Sequence, residues 1–271
     1  MLVLSYKMLI LSYNFFLSIH KNLFSEYNSF MRKFLYVICI NFFRLIFYIP
    51  KMRWYADHPK KYSEKDRYEL LRHCIKIVER TAFAKPISSG QENLPKNSPY
   101  VMFPNHQGKY DALGIISQND DVCSFVLRDD LKWPLLLPEA CALVNAKRMR
   151  RGSRRDAINV LNTMQDEIKA GKRYIIFPEG GYTDNKNSTT EFKPGTFQFA
   201  TREKVPIVPV ALIDTYKVLN YEKIFEKVVP QIHFLQPIYY DEYKDWTTTQ
   251  IAQIVKSRID ECIAQKLSAA N

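Results

Sequence analysis

The sequence predicts an α/β fold, a single domain with a mixed, mostly parallel sheet flanked by helices and preceded by a helical membrane-associating segment. From about residue 100 onward, short apolar runs of strand type alternate with longer segments whose apolar residues recur at helical spacing. Residues 207–212 are almost continuously apolar, as expected for a strand of a parallel sheet that is covered on both faces.

The first sixty residues differ in composition from the domain expected over residues 61–271, and we expect them to associate with a membrane. Within them, residues 35–50 are apolar and aromatic with basic flanks, which is typical of a helix lying in one leaflet. A full span and a buried core helix are the two alternatives. Met31 precedes this run as a start residue would, so residues 1–30 are compatible with an upstream extension of the reading frame.

The segment between this region and the first motif is expected to contain one helix. Residues 57–66 are polar and are interpreted as a linker. Residues 70–78 carry apolar side chains at helical spacing, which predicts an amphipathic helix ending near Arg80. A short strand is expected near Ala82, and residues 90–98 are rich in turn-forming residues.

The first chemical motif follows an apolar strand that stops at Pro104, before a helical segment over residues 112–116. On one continuous helix, His106 and Asp111 would point about 140° apart. They face each other only if His106 lies in the loop after the strand and Asp111 opens the next helix. The carboxylate would then hold the imidazole in one tautomer, as a general base requires. The alternative is a polar loop histidine followed by an N-capping aspartate.

The remaining elements continue the alternation of strands and helices. Four apolar runs are predicted to be strands: residues 122–127, 142–146, 174–177 and, at an edge of the sheet, 231–239. Helix starts or helical spacing predict three helices: residues 153–170 after a capping box at Ser153, a helix from Pro194, and residues 248–267. Residues 133–140 fit either type of element.

A second motif repeats the plan of the first, because the strand over residues 174–177 ends at Pro178 and is followed by a glutamate and glycines. Together the motifs resemble the glycerolipid acyltransferase family, most closely the lysophosphatidic acid acyltransferases. The family's His-four-residues-Asp block is matched by His106 and Asp111, and its Phe-Pro-Glu-Gly block by residues 177–180. A late proline-bearing strand, residues 205–211, completes the match.

The resemblance implies an O-acyltransferase of phospholipid synthesis. It would move a fatty acyl group from an acyl carrier protein or coenzyme A thioester to the sn-2 hydroxyl of lysophosphatidic acid, giving phosphatidic acid. His106 is then the expected base, and Asp111 orients it. A direct attack of the hydroxyl on the thioester needs no serine nucleophile, which agrees with the lack of a Gly-x-Ser-x-Gly elbow. Besides the acyl donor, no cofactor and no metal are expected.

The sequence departs from the family after the Phe-Pro-Glu-Gly block. The usual continuation is Thr-Arg-Ser, whereas residues 181–183 are Gly-Tyr-Thr, so the arginine normally credited with phosphate contact is absent. Lys193, just before a predicted helix start, is expected to bind the acceptor phosphate in its place, together with Lys147 or Arg148. A different lysophospholipid or aminolipid acceptor is therefore the alternative function.

Glu179 and Gly180 complete the set of expected substrate-binding residues. The Glu179 carboxylate would position the glycerol hydroxyl of the acceptor. An equal alternative is a structural glutamate that accepts hydrogen bonds from loop N–H groups.

The formal net charge is +11, and six lysine and arginine residues fall between residues 147 and 155. Such a cluster suits phospholipid headgroups, phosphorylated substrates or nucleic acid, and its plain alternative is a solvated basic face. A nucleic-acid-binding module would leave both motifs unexplained and lacks stacking aromatic residues within the cluster. The five scattered cysteines argue against a zinc site or a disulfide framework, so we expect the cytoplasmic face of the cell membrane.

Overall fold

The computed structural model describes residues 32–128, 136–150 and 154–269. The expected upstream extension, residues 1–30, lies outside the described residues, and so does Ser153 with its expected capping box. Ten α-helices and seven strands are present in the part of the chain that the structure describes.

The chain begins with two helices, α1 (Arg32–Ile40) and α2 (Phe42–Asp57), which are bent by 79° relative to each other. The break lies at Asn41, whose buried amide donates hydrogen bonds to the Val37 carbonyl and to Thr81 Oγ1 on the next helix, at 2.9 and 3.0 Å. No single described helix is long and apolar enough to cross a membrane, but the bent pair taken together meets that test by length and composition.

The amphipathic helix predicted to end near Arg80 is α3 (Glu64–Thr81), which begins with a capping box between Ser63 and Asp66. The helix therefore starts inside the segment that the sequence suggested as a linker, and the linker is limited to residues 58–63. The strand expected near Ala82 lies slightly later in the chain, at Ile87–Ser89.

One seven-stranded sheet forms the centre of the molecule. In chain order its strands are β1 (Ile87–Ser89), β2 (Val101–Pro104), β3 (Cys123–Arg128), β4 (Lys147–Met149), β5 (Arg173–Ile175), β6 (Ile207–Ile213) and β7 (Gln231–Phe234). In space their order is β1-β7-β6-β2-β5-β3-β4, and only the β6–β7 pairing is antiparallel. The mixed, mostly parallel sheet predicted from the sequence is therefore confirmed.

The later helices lie between and after these strands. They are α4 (Asp111–Gln118), α5 (Leu137–Leu143), α6 (Arg154–Lys169), α7 (Gln198–Glu203), α8 (Tyr216–Leu219), α9 (Tyr240–Tyr243) and α10 (Thr248–Ser268). The helices predicted over residues 153–170 and 248–267 correspond to α6 and α10. The helix predicted from Pro194 is a 3₁₀ turn, Pro194–Phe197, that leads into α7.

Two strand predictions were wrong. Residues 142–146 belong to the end of α5 and the turn after it, and the strand is Lys147–Met149. Pro138 occupies the first turn of α5, where proline favours a helix, and a short apolar run does not by itself distinguish a helix from a strand. The segment predicted as an edge strand, residues 231–239, contributes β7, which lies between β6 and β1.

The sheet is covered on both faces by two apolar clusters. All seven residues of β6 are buried, as its unbroken apolar sequence predicts. Val208, Val210 and Leu212 face the cluster that includes α1 to α4. Ile207 and Ile213 face the other cluster, which includes α6, α7 and α10.

The two sequence motifs follow neighbouring parallel strands. Met102 of β2 pairs with Ile175 of β5, so both strands end at the same edge of the sheet. The loops that follow, residues 105–110 and 176–193, therefore leave the sheet side by side. This edge is where open α/β sheets bind their ligands.

Candidate active site

His106 and Asp111 face each other at this edge. His106 lies in the loop after β2 and Asp111 is the first residue of α4, the arrangement that their spacing requires. The distance from His106 Nδ1 to Asp111 Oδ2 is 2.7 Å. The carboxylate is fully buried, whereas 17% of the imidazole side chain is exposed. The pair thus combines a shielded carboxylate with an imidazole that a substrate can reach.

The Asp111 carboxylate is saturated with donors. Oδ2 also accepts the backbone N–H groups of Gln107 and Gly108, at 2.5 and 2.8 Å. Oδ1 accepts the Thr215 hydroxyl at 2.7 Å. A carboxylate surrounded by donors acts as an acceptor, so His106 Nδ1 carries the proton in this pair. The Nε2 lone pair is then available to take a proton from a substrate.

The second motif forms the wall beside the imidazole. The Phe177 ring stacks on His106, with a centroid distance of 4.1 Å and an interplanar angle of 26°. The Tyr182 ring meets the imidazole edge-on at 4.7 Å. The two motifs that the sequence separates by about seventy residues therefore form one site.

The Glu179 side chain joins the loops of this site. It is buried, and Oε1 accepts the backbone N–H of His106 at 2.7 Å. Oε2 accepts the backbone N–H of Thr190 at 3.0 Å and also the Thr190 hydroxyl. Both oxygens thus bind loop groups, as the structural alternative for this residue requires. A contact between Glu179 and the substrate stays a prediction.

Gly180 and Lys193 lie against each other within the second motif. Gly180 has a φ of +72°, and a Cβ atom there would come within 2.6 Å of Lys193 Nζ. The Lys193 backbone N–H donates to the Pro178 carbonyl at 2.9 Å, and this hydrogen bond joins the beginning and the end of the loop. Lys193 forms no ion pair with a described carboxylate. Phosphate binding by Lys193 stays a prediction.

Lys147 and Arg148 lie on β4, at the outer edge of the sheet. Lys147 Nζ forms an ion pair with Glu167 Oε1 at 2.7 Å. Burial alone would raise the pKa of Glu167, but Lys147, Tyr174 and Lys172 hold it below its usual value. Arg148 lies beside Cys141, and it opposes the burial that raises the pKa of this thiol to about 11. Phosphate binding by these two residues stays a prediction.

The sequence reasoning missed the groups that attach the His106 loop to the end of β6. The Asn105 amide exchanges two hydrogen bonds with the backbone of Leu212, at 2.8 and 3.0 Å. Gln107 Nε2 donates to the same Leu212 carbonyl, and Gln107 Oε1 accepts the backbone N–H of Thr215. The two amides flanking His106 were a visible signal, since such side chains dock loops. Nothing in the spacing pointed to Thr215.

Comparisons with known proteins found a matching family model and several relatives. A family model described as Acyltransferase matches residues 85–213. The 1-acyl-sn-glycerol-3-phosphate acyltransferase of Saccharomyces cerevisiae is 32% identical over 153 residues, covering 55% of this chain and 50% of that protein. The probable 1-acyl-sn-glycerol-3-phosphate acyltransferase of Mycoplasma genitalium is 26% identical, covering 67% of this chain and 75% of that protein. The chain spans about half the length of the first curated relatives that it matches.

The crystal structure of the 1-acyl-sn-glycerophosphate (LPA) acyltransferase PlsC from Thermotoga maritima superimposes with a TM-score of 0.66. The match covers 87% of this chain and 94% of that chain, at 20% identity. At this identity the likeness shows the fold, and it extends beyond the part of the chain that the family model matches.

Proposed function

Because residues 85–213 are an acyltransferase-family domain, we propose that this chain transfers a fatty acyl group to the sn-2 hydroxyl of lysophosphatidic acid, giving phosphatidic acid. The observation that carries the proposal is the His106–Asp111 pair, with a partly exposed imidazole at the carboxyl edge of a mostly parallel sheet. The names of the relatives in yeast and Mycoplasma genitalium support the same acceptor.

In the proposed reaction His106 acts as a general base. Nε2 takes the proton of the acceptor hydroxyl as its oxygen attacks the thioester carbonyl carbon. The buried Asp111 carboxylate stabilises the imidazolium that forms, without taking the proton itself. When the carbon–sulfur bond breaks, the imidazolium returns the proton to the leaving thiolate. The reaction forms one ester bond and breaks one thioester bond, so it needs no oxidant or reductant.

The acyl donor in this proposal is a thioester of acyl carrier protein or of coenzyme A. Both present the same thioester carbonyl to the acceptor hydroxyl, so the His106 site suits either one. Parallel assays with the two donors, each at the same acyl chain length, distinguish them. A donor that yields no product at any concentration is excluded by that measurement.

The alternative acceptor is another lysophospholipid or an aminolipid. Tyr182 stands where the family has an arginine, and this replacement removes a bidentate cation from the side of the imidazole. We therefore propose to test the wild-type protein with a panel of acceptors: lysophosphatidic acid, lysophosphatidylglycerol, lysophosphatidylethanolamine and monoacylglycerol. Mass spectrometry of the products should show phosphatidic acid as the preferred product, and a preferred product without a terminal phosphate would contradict the assignment.

We further propose that α1 and α2 attach the protein to the surface of a phospholipid membrane, on its cytoplasmic face. Phe43 and Phe47, one helical turn apart on α2, are 76% and 75% exposed. Ile46 and Trp54 on the same helix are also more than half exposed, and Arg44 and Lys51 flank them. Bulky apolar residues with basic neighbours on an exposed helix suit the interface of an anionic bilayer.

A further inference from the structure

A candidate cation other than Lys193 lies on the loop that carries His106. Lys109 is the third residue after His106 on the same loop, and Lys109 Nζ donates to Asn220 Oδ1 at 3.0 Å. The ammonium also lies 5.7 Å from the centroid of the Phe34 ring on α1. Burial lowers the pKa of Lys109 to about 8. An anion bound next to this partly desolvated ammonium would therefore be held more strongly than at an open surface.

Asn220 offers a donor that the described part of the chain leaves unused. The residue follows α8, is 1% exposed, and its Nδ2 has no hydrogen-bond partner among the described residues. Nδ2 lies 3.0 Å from the position that a Cβ atom would take at Gly108. A buried N–H without an acceptor is costly, and an oxygen of a bound anion would satisfy it.

Tyr182 connects these two residues to the base. The edge of its ring contacts the His106 imidazole, and its hydroxyl lies near the Asn220 amide, although outside hydrogen-bond geometry. One aromatic side chain therefore spans the distance from the imidazole to Asn220 and Lys109. In lysophosphatidic acid the phosphate is on the carbon next to the one that bears the sn-2 hydroxyl. A hydroxyl held at His106 would place the phosphate within reach of this end of Tyr182.

We propose that Lys109, held by Asn220, binds the phosphate of the acceptor, and that the unused Asn220 N–H becomes a second donor to the same phosphate. The inference rests on the proposed function and names the residues that select its acceptor. The proposal also accounts for the tyrosine that replaces the family's arginine at position 182. Lys109, on the His106 loop, lies near the end of the Tyr182 side chain and supplies a cation there instead.

The test compares an acceptor that has a phosphate with one that lacks it. For wild-type protein and for Lys109→Gln, kcat and KM are measured with lysophosphatidic acid and with monoacylglycerol, at saturating acyl donor. Loss of one charge-assisted hydrogen bond should reduce the preference for lysophosphatidic acid about 10- to 100-fold, through KM for that acceptor. KM for the acyl donor should stay unchanged. Lys109→Arg should retain most of the preference because it keeps the charge.

Three further variants make the result specific. Tyr182→Arg added to Lys109→Gln should restore part of the preference, since it brings a cation to the same place from the other loop. Asn220→Asp, which sets a carboxylate beside the ammonium, should also lower the preference. Lys172→Gln is the matched control. Lys172 is also a largely buried lysine, but it lies just before the amino end of β5 and is paired with Glu64. Thermal unfolding of each variant establishes that it is folded.

Two outcomes would overturn the proposal in different ways. Wild-type preference for lysophosphatidic acid in a folded Lys109→Gln protein would contradict the Lys109 site and leave the proposed function intact. A wild-type protein that makes no phosphatidic acid from lysophosphatidic acid with either donor would contradict the proposed function, and this phosphate site with it.

Discussion

At the scale of single residues, the Asp111 carboxylate decides what the His106 imidazole can do. It accepts hydrogen bonds from four groups, namely His106 Nδ1, the N–H groups of Gln107 and Gly108, and the Thr215 hydroxyl. The Thr215 hydroxyl also lies 2.8 Å from Gln107 Oε1, which accepts the backbone N–H of Thr215 as well. His106 and Asp111 were predictable from the sequence because they belong to one motif. Thr215 was not, since it lies 104 residues away from Asp111.

Thr215 provides a prediction about the positioning of the pair. Thr215→Val keeps the shape of the side chain but removes the donor to Asp111 Oδ1, so the carboxylate is held less firmly. We expect kcat to fall about tenfold while KM for the acceptor changes little. Thr215→Ser, which retains the hydroxyl, should restore most of kcat. Equal kinetics for the Val and Ser variants would show that the hydroxyl has no part in orienting the carboxylate.

At the scale of elements, the strongly patterned segments were predictable and the short ones were not. The all-apolar sequence of β6 and the helical spacing of α10 determine their structure locally. The three residues of β1 carry no strand signal, and they form a strand only because they pair with β7, more than 140 residues later. β4 similarly depends on its pairing with β3, and the apolar residues before it formed α5 instead.

The pairing of β1 with β7 gives the stability a specific pH dependence. His233 of β7 is buried between Ser89 and Gln231, and burial, aided by Lys266, lowers the pKa of this histidine from 6.5 to about 4. Between these values the unfolded state binds a proton that the folded state does not, so stability falls as the pH drops from 6.5 towards 4. The loss at pH 5 should be about 2 kcal/mol.

Urea unfolding at pH 7 and pH 5 measures this difference. In His233→Gln the decrease in the free energy of unfolding between the two pH values should be smaller by about 2 kcal/mol than in the wild type. An unchanged decrease would show that other groups cause the pH dependence of stability.

The bent helix pair gives a second prediction at this scale. Phe43→Ser combined with Phe47→Ser removes two exposed aromatic rings from α2 without touching the core. In flotation with vesicles of phosphatidylglycerol and phosphatidylethanolamine, the fraction of protein bound to the vesicles should fall strongly. The variant has less apolar surface to bury in the bilayer. Tyr239→Ser, at an exposed aromatic residue next to α9, is the matched control and should bind as the wild type does. Equal binding of the double variant would place the membrane contact elsewhere.

At the scale of the whole molecule, the sheet order is what assembles the site. The order places β5 beside β2, so the loops carrying the two motifs leave the same edge. The contact of Lys109 with Phe34 then sets the His106 loop against α1, the start of the proposed membrane contact. The sequence predicted the class of fold and the use of strand ends. It did not predict which strands are neighbours, because that depends on the packing of the complete chain.

The central claim is that His106 is the base for acyl transfer to lysophosphatidic acid, and the turnover of His106→Gln tests it most directly. Phosphatidic acid formation is followed by mass spectrometry with both acyl donors, and thermal unfolding confirms that the variant is folded. His73→Gln, at an exposed histidine on α3, is the control. We predict that His106→Gln loses about 10²–10⁴-fold in kcat while the control keeps wild-type turnover. Turnover near that of the wild type in a folded His106→Gln protein would contradict the account.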